Sequence, residues 1–191
     1  MIDYPLPLIG FSAFSGTGKT TLLTRLLPLL RAEGLRIGMV KHAHHNFDID
    51  HPGKDSYELR AAGADQMLIV SNKRLAMIQE FHPPHKEPKL SQVLSEFNPE
   101  ILDLILVEGF KAEHFPKIEL HRPALGKSLM FPNDKDIFAI ASDVSAEELN
   151  LNKYDRSPYF LNLNLPGEIA EFILEMISTT KRTSRISGAI T

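Results

Sequence analysis

The segment that most restricts the fold is a nearly all-apolar run, Leu6 to Ala13. It leads through Phe14-Ser15-Gly16-Thr17-Gly18 into Lys19-Thr20-Thr21 and leucines at 22, 23, 26, 27 and 30. An apolar run of this kind reads as a strand buried on both faces, and the leucine spacing is the stripe of a helix packed on that sheet. Gly34 supplies the helix stop. Strand, glycine-rich turn and helix in that order predict an α/β fold of three layers around a mainly parallel sheet. Pro28 falls inside the helix, where it removes the bond to the Thr24 carbonyl and should bend the axis.

The same segment has the spacing of a phosphate-binding loop (P-loop) in its structural context, a strand before and a helix after. Gly16 and Gly18 allow successive backbone N–H groups to converge on an anion, and the helix N-terminus adds the positive end of its dipole. Lys19 can reach the β and γ phosphates and the Thr20 hydroxyl can hold Mg²⁺, so Ser15 to Thr21 are the candidate nucleotide-binding residues. Ala13 stands where the consensus has its first glycine.

Composition narrows the class further. The chain has 191 residues, 43% apolar and 24% charged, which suits one globular domain and not a disordered chain. A net charge of -3 provides no broad basic field for nucleic-acid phosphates or an anionic membrane. With no cysteine there is no disulfide, thiolate zinc site, iron-sulfur cluster or cysteine nucleophile. Asp3 precedes the first basic residue, Lys19, so no secretory leader is expected. No apolar run approaches the roughly 18 residues of a membrane helix, and a cytoplasmic protein is expected.

Along the rest of the chain, strands are expected at Leu35 to Lys41, Gln66 to Val70, Leu75 to Gln79, Leu102 to Val107, Ile137 to Ala141 and Tyr159 to Leu163, with a weaker one at Lys117 to His121. Helices are expected at Lys54 to Ala62, capped through Asp55 and Glu58, at Lys89 to Phe97, and from Gly167 to Thr180 behind Pro166. The tight polar turn between residues 70 and 75 makes an antiparallel hairpin, an insertion near 66–80 in a single nucleotide-binding domain, 1–180. The basic tail, 181–191, is expected to fray.

A P-loop needs an acid near its Mg²⁺. Asp103 and Glu108 flank one strand, and five residues of extended chain put them roughly 16 Å apart on opposite faces. Ligands of parallel sheets sit at the carboxyl ends of the strands, which selects Glu108 for the Mg²⁺ and water shell. By the same rule the loop after the second strand, Lys41 to Asp50, should lie beside the nucleotide. There Asp48 and Asp50 are candidates for an indirect Mg²⁺ or water-positioning role, against a solvated loop. His42, His44, His45 and His51 are candidates for a metal site, a proton shuttle, or a polar surface that docks substrate or partner together with Lys41. Lys54 and Asp55 open the next helix, where a second anion or simple capping fits equally. Asn72-Lys73-Arg74-Leu75 imitates a guanine signature but lacks its acid and is read as the hairpin turn. Asp143 follows an apolar strand, where accepting guanine N1-H and N2-H₂ and merely shaping the turn before the Ser145/Glu148 capping box fit equally.

Taken together, the P-loop, Val40-Lys41-His42-Ala43-His44-His45, Gly53-Lys54-Asp55-Ser56-Tyr57-Glu58-Leu59-Arg60 and Val107-Glu108-Gly109-Phe110-Lys111 resemble the MobB family of molybdopterin-guanine dinucleotide biosynthesis proteins. The resemblance spans roughly residues 6 to 180. It implies a homodimeric P-loop NTPase fold with extra β structure at the dimer interface, GTP and Mg²⁺ as ligands, and weak hydrolysis. It also implies an accessory role beside the guanylyltransferase MobA, which attaches GMP to molybdopterin. Gly16, Gly18, Lys19 and Thr20 would hold phosphates and Mg²⁺, Glu108 would lie near the γ phosphate, and Lys41 to Asp55 would face substrate or partner. The alternatives are a small-molecule kinase and a metallochaperone GTPase that uses the histidine loop as its metal site.

Overall fold

The computed structural model describes residues 2–43, 47–81 and 87–187, with side chains as far as Thr179. The described strands are β1 (Leu8–Ala13), β2 (Ile37–Lys41), β3 (Gln66–Val70), β4 (Leu75–Gln79), β5 (Leu104–Glu108), β6 (Lys117–His121), β7 (Ile137–Ser142) and β8 (Tyr159–Asn162). The helices are α1 (Lys19–Ala32), α2 (Asp55–Ala61), α3 (Leu90–Leu94) and α4 (Pro166–Ser187). The chain divides into two units, Met1–His42 with Leu90–Thr191, and Ala43–Lys89.

The first unit is a parallel sheet in the order β2-β5-β1-β6-β7-β8. Every residue of β1 is buried, as the unbroken apolar run requires. On one face Ile9, Phe11 and Ala13 meet Leu22, Leu23, Leu26 and Leu30 of α1 and Ile169, Ile173 and Ile177 of α4. On the other, Leu8, Ile105 and Val107 pack with Leu90 and Leu94 of α3. Each buried leucine or isoleucine contributes about 1.5 to 3 kcal/mol relative to exposure. The sheet is therefore a rigid base for whatever its carboxyl edge carries. α1 continues through Pro28, whose missing N–H costs less than the leucine stripe gains.

In the second unit β3 and β4 pair antiparallel from Gln66↔Gln79 to Val70↔Leu75, and Ser71 N–H donates to the Arg74 carbonyl at 2.8 Å across the turn. The hairpin thus has the bounds read from sequence. It lies in this unit with α2, whose residue Arg60 binds both Asp50 and Glu80.

Three local readings change. β6 is no weak strand, because all five of its residues are buried between β1 and β7. Its alternation of polar and apolar residues suggested a half-exposed strand, but Lys117 and Glu119 are neutralised or satisfied by the segment that covers them. Lys117 Nζ is 3.0 Å from Asp134 Oδ2, and Glu119 accepts the N–H groups of Met130 and Phe131, both at 2.7 Å. α2 is capped at Lys54, not Asp55, and Glu58 reaches back to Gly53 N–H at 3.0 Å. The backbone of α4 stays helical to Ser187, past the expected stop at Thr180, since the next helix breaker in the chain is Gly188.

Candidate functional site

The loop between β1 and α1 lies at the carboxyl edge of the sheet, held by a buried strand on one side and by the leucine stripe on the other. Gly18 caps α1 in the left-handed region at φ 94°, and Gly16 has φ 83°, conformations that cost other residues roughly 1 to 2 kcal/mol. Thr17 Oγ1 donates to the Phe14 carbonyl at 2.8 Å and closes the loop on itself. α1 has no side-chain cap, so its first N–H groups remain available to a ligand anion. From its first position Lys19 directs Nζ to within 3.4 Å of Glu108 Oε1.

Glu108 ends β5, at the carboxyl edge of the sheet. At the other end of β5, Asp103 faces away from the loop and grips Arg36 through two bonds, Nε–Oδ2 at 2.9 Å and Nη2–Oδ1 at 3.0 Å. Lys41 is the register partner of Glu108, and His42 N–H donates to the Glu108 carbonyl at 2.8 Å. The His42 ring stacks on Phe110 at 4.4 Å. The turn between them is tight. Gly109 has φ 98°, and a Cβ there would fall 2.5 Å from His42 Cβ, so only glycine fits. Phe110 follows at φ 49°, a left-handed non-glycine residue next to the P-loop.

On the far side of the loop a pocket of about 280 Å³ is lined by Gly18, Thr21, Arg25, Arg122 and Asn164 among others. Arg122 ties the P-loop to Asp143, since Nε donates to the Thr17 carbonyl at 2.9 Å and Nη1 to Asp143 Oδ2 at 2.7 Å. Asp143 is thus held in an ion pair with a residue that itself touches the P-loop. The Ser145/Glu148 capping box forms as read, with reciprocal bonds of 3.2 Å, on a turn and not a helix. Burial pushes His121, the residue before Arg122, below the usual imidazole range, with the Asp143 charge opposing. Sequence reasoning missed Arg25, Arg122 and Asn164. Arg122 and Asn164 lie just past strand ends, so the rule that selected Glu108 points to them as well.

The remaining candidates lie in the second unit. In the second unit Asp50 is held by Arg60, whose hydrogen bond keeps the carboxyl below its usual range, and Asp48, Lys54 and Asp55 are exposed. α2 has only seven residues and no side-chain cap, and nothing at its start marks a second anion site. His44 and His45 lie outside the described residues. No group of three or more metal-ligating His, Asp or Glu side chains forms among the described residues. Asn72-Lys73-Arg74 is the hairpin turn, as read.

The parallel order, the glycine loop after β1 and the Lys19–Glu108 pair define a P-loop NTPase-like protein. Residues 8–143 match the family model for MobB, molybdopterin guanine dinucleotide synthesis protein B, and the chain belongs to that family. It is 45% identical over 173 residues to a molybdopterin-guanine dinucleotide biosynthesis adapter protein of Escherichia coli, covering 89% of this chain and 93% of the relative. An adapter of the same description from Haemophilus influenzae is 39% identical over 169 residues, 88% of each chain. The crystal structure of a molybdopterin-guanine biosynthesis protein B superposes with a TM-score of 0.65 at 24% identity, covering 88% of this chain and 99% of that one, a likeness of fold.

Proposed function

We propose that this chain is a GTP-binding adapter in the synthesis of molybdopterin guanine dinucleotide. The observation that carries the nucleotide part is the Lys19–Glu108 pair at 3.4 Å beside a loop opened by Gly16 and Gly18. Biosynthetic context comes from the relatives, which are described as adapters of this synthesis. Family membership favours this reading over a small-molecule kinase or a metallochaperone.

Within it, Ser15 to Thr21 hold the phosphates, and Thr20 and Glu108 are the residues that would hold Mg²⁺. The fit is chemical. A hydroxyl follows the P-loop lysine, and a carboxylate lies within reach of that lysine's ammonium. Bound there, the ion would neutralise charge on the phosphate oxygens. Asp143 is the acceptor for guanine N–H groups, and a base that bonds it competes with Arg122. Hydrolysis is slow and secondary to the adapter role. Asp48 and Asp50 as aids to that step, and Lys41, His42, His44, His45, Lys54 and Asp55 as a substrate or partner loop, rest on chain order. The partners are MobA and molybdopterin, the protein is a cytoplasmic homodimer, and no nucleic acid or membrane is involved. No described helix is long and apolar enough to span a bilayer.

The test is reconstitution of molybdopterin guanylylation by the transferase with and without this protein, alongside competition of GTP and ATP for its site. Stimulation and a preference for GTP are expected. Absence of stimulation removes the adapter role, and parity of the nucleotides removes the guanine assignment.

A further inference from the structure

The turn after Glu108 does more than end a strand. Gly109 and Phe110, both at positive φ, reverse the chain so that Lys111 returns to the P-loop, where Nζ donates to the Ala13 carbonyl at 2.8 Å. The ammonium also lies 5.5 Å from the centre of the Phe14 ring. Buried Lys117 fixes the backbone at this point, donating from Nζ to the Lys111 carbonyl at 3.1 Å, and is itself held by Asp134. Arg156 clamps the segment that carries Asp134, donating to the carbonyls of Phe131, Asp134, Lys135 and Ile137 at 2.6 to 2.9 Å. A chain of charged groups thus positions one lysine. Such investment is more than a surface peg needs.

The ammonium has three donors, of which the Ala13 carbonyl takes one. Burial, and after it the charge of Lys19, hold Lys111 below the usual lysine range, while Glu119 opposes. A second, exposed cation anchored at the mouth of the P-loop, with one of its three donors on the Ala13 carbonyl, is suited to an anion carrying more charge than Lys19 alone can balance. A nucleoside triphosphate has that charge.

We propose that Lys111 is a second phosphate-binding cation, contacting the terminal phosphate of a bound nucleoside triphosphate. The proposal rests on the nucleotide reading of the P-loop given above. The Ala13 carbonyl is what parks the ammonium before the phosphate arrives. Because a diphosphate lacks the group contacted, Lys111 distinguishes the two nucleotide states.

The experiment is calorimetric titration of the full chain with a non-hydrolysable GTP analogue and with GDP, for the native protein, Lys111→Gln, Lys111→Arg and Lys19→Ala, with thermal unfolding of each. Lys111→Gln is expected to weaken the triphosphate about tenfold and the diphosphate less than about threefold, with Lys111→Arg recovering most of the loss. Equal changes for both nucleotides, or a lowered Tm with an unchanged ratio, overturn the proposal and leave Lys111 as a peg for the loop. If Lys19→Ala also leaves triphosphate affinity unchanged, the nucleotide reading itself fails. Should Lys111→Gln not fold, acylation of Lys111 in the native protein decides. Protection by the GTP analogue beyond that by GDP supports the contact, and equal labelling overturns it.

Discussion

β5 and β3 are both five-residue strands rich in leucine, isoleucine and valine, yet they meet opposite fates. Leu104, Ile105, Leu106 and Val107 of β5 are fully buried, whereas Leu68 and Val70 of β3 are 62% and 72% exposed. β5 has a strand on either side and a packed cluster on each face; β3 has β4 as its single strand neighbour and the short helix α2 nearby, and Leu75 of β4 is itself 64% exposed. An apolar run specifies that a strand wants cover, and only neighbouring elements determine whether one chain supplies it.

The sharpest way to break this contrast is to truncate one leucine in each strand. Leu106→Ala should cost about 2 to 5 kcal/mol in urea unfolding, because the side chain is fully buried in the cluster beneath α1 and α4. Leu68→Ala should stay within about 0.5 kcal/mol in dilute protein. A concentration-dependent cost at Leu68 would show that another copy covers the hairpin; equal costs in dilute protein would mean that the exposure of β3 has been misread.

A second contrast lies between the two ends of β5. Glu108→Gln should lower Mg²⁺-dependent triphosphate hydrolysis by about tenfold or more while magnesium-free binding persists. Asp103→Asn loses charge opposite Arg36 and should leave hydrolysis nearly unchanged. Phosphate-release rates that fall alike in both variants would contradict the assignment of the carboxyl end.

Gly109→Ala probes the turn that links β5 to Lys111. Its positive φ and the 2.5 Å approach to His42 Cβ predict a loss of about 1 to 3 kcal/mol, measured by thermal unfolding. A neutral substitution would show that the turn relaxes freely.

The smallest effect expected is on the second unit under acid. Its Asp50 carboxyl is lowered by the Arg60 hydrogen bond, so the stabilisation it gives is complete above the ordinary aspartate value, about 3.9, and is lost as the pH falls through the lower folded-state value. Protection of the amides across Gln66 to Gln79, taken relative to the intrinsic exchange rate at each pH, should therefore fall only below about pH 4, and Arg60→Gln should abolish that dependence. Acid-insensitive exchange in the native chain would detach the ion pair from the stability of the hairpin.

Local physics determined much of this protein. The glycine spacing from Gly16 to Gly18, the leucine stripe of α1, the hairpin bounds and the position of Glu108 at a strand end all follow from periods of 2 and 3.6 residues and from strand polarity. Those rules act between residues close in sequence. What they do not reach is long-range pairing of polar groups. Lys111 meets Ala13 98 residues away, Arg122 meets Thr17 105 residues away, and buried Glu119 of β6 finds the backbone of Met130 and Phe131. A charged side chain carries no periodic signature of its partner, and the desolvation cost of burying it is offset only where the assembled fold brings a matching group within about 3 Å.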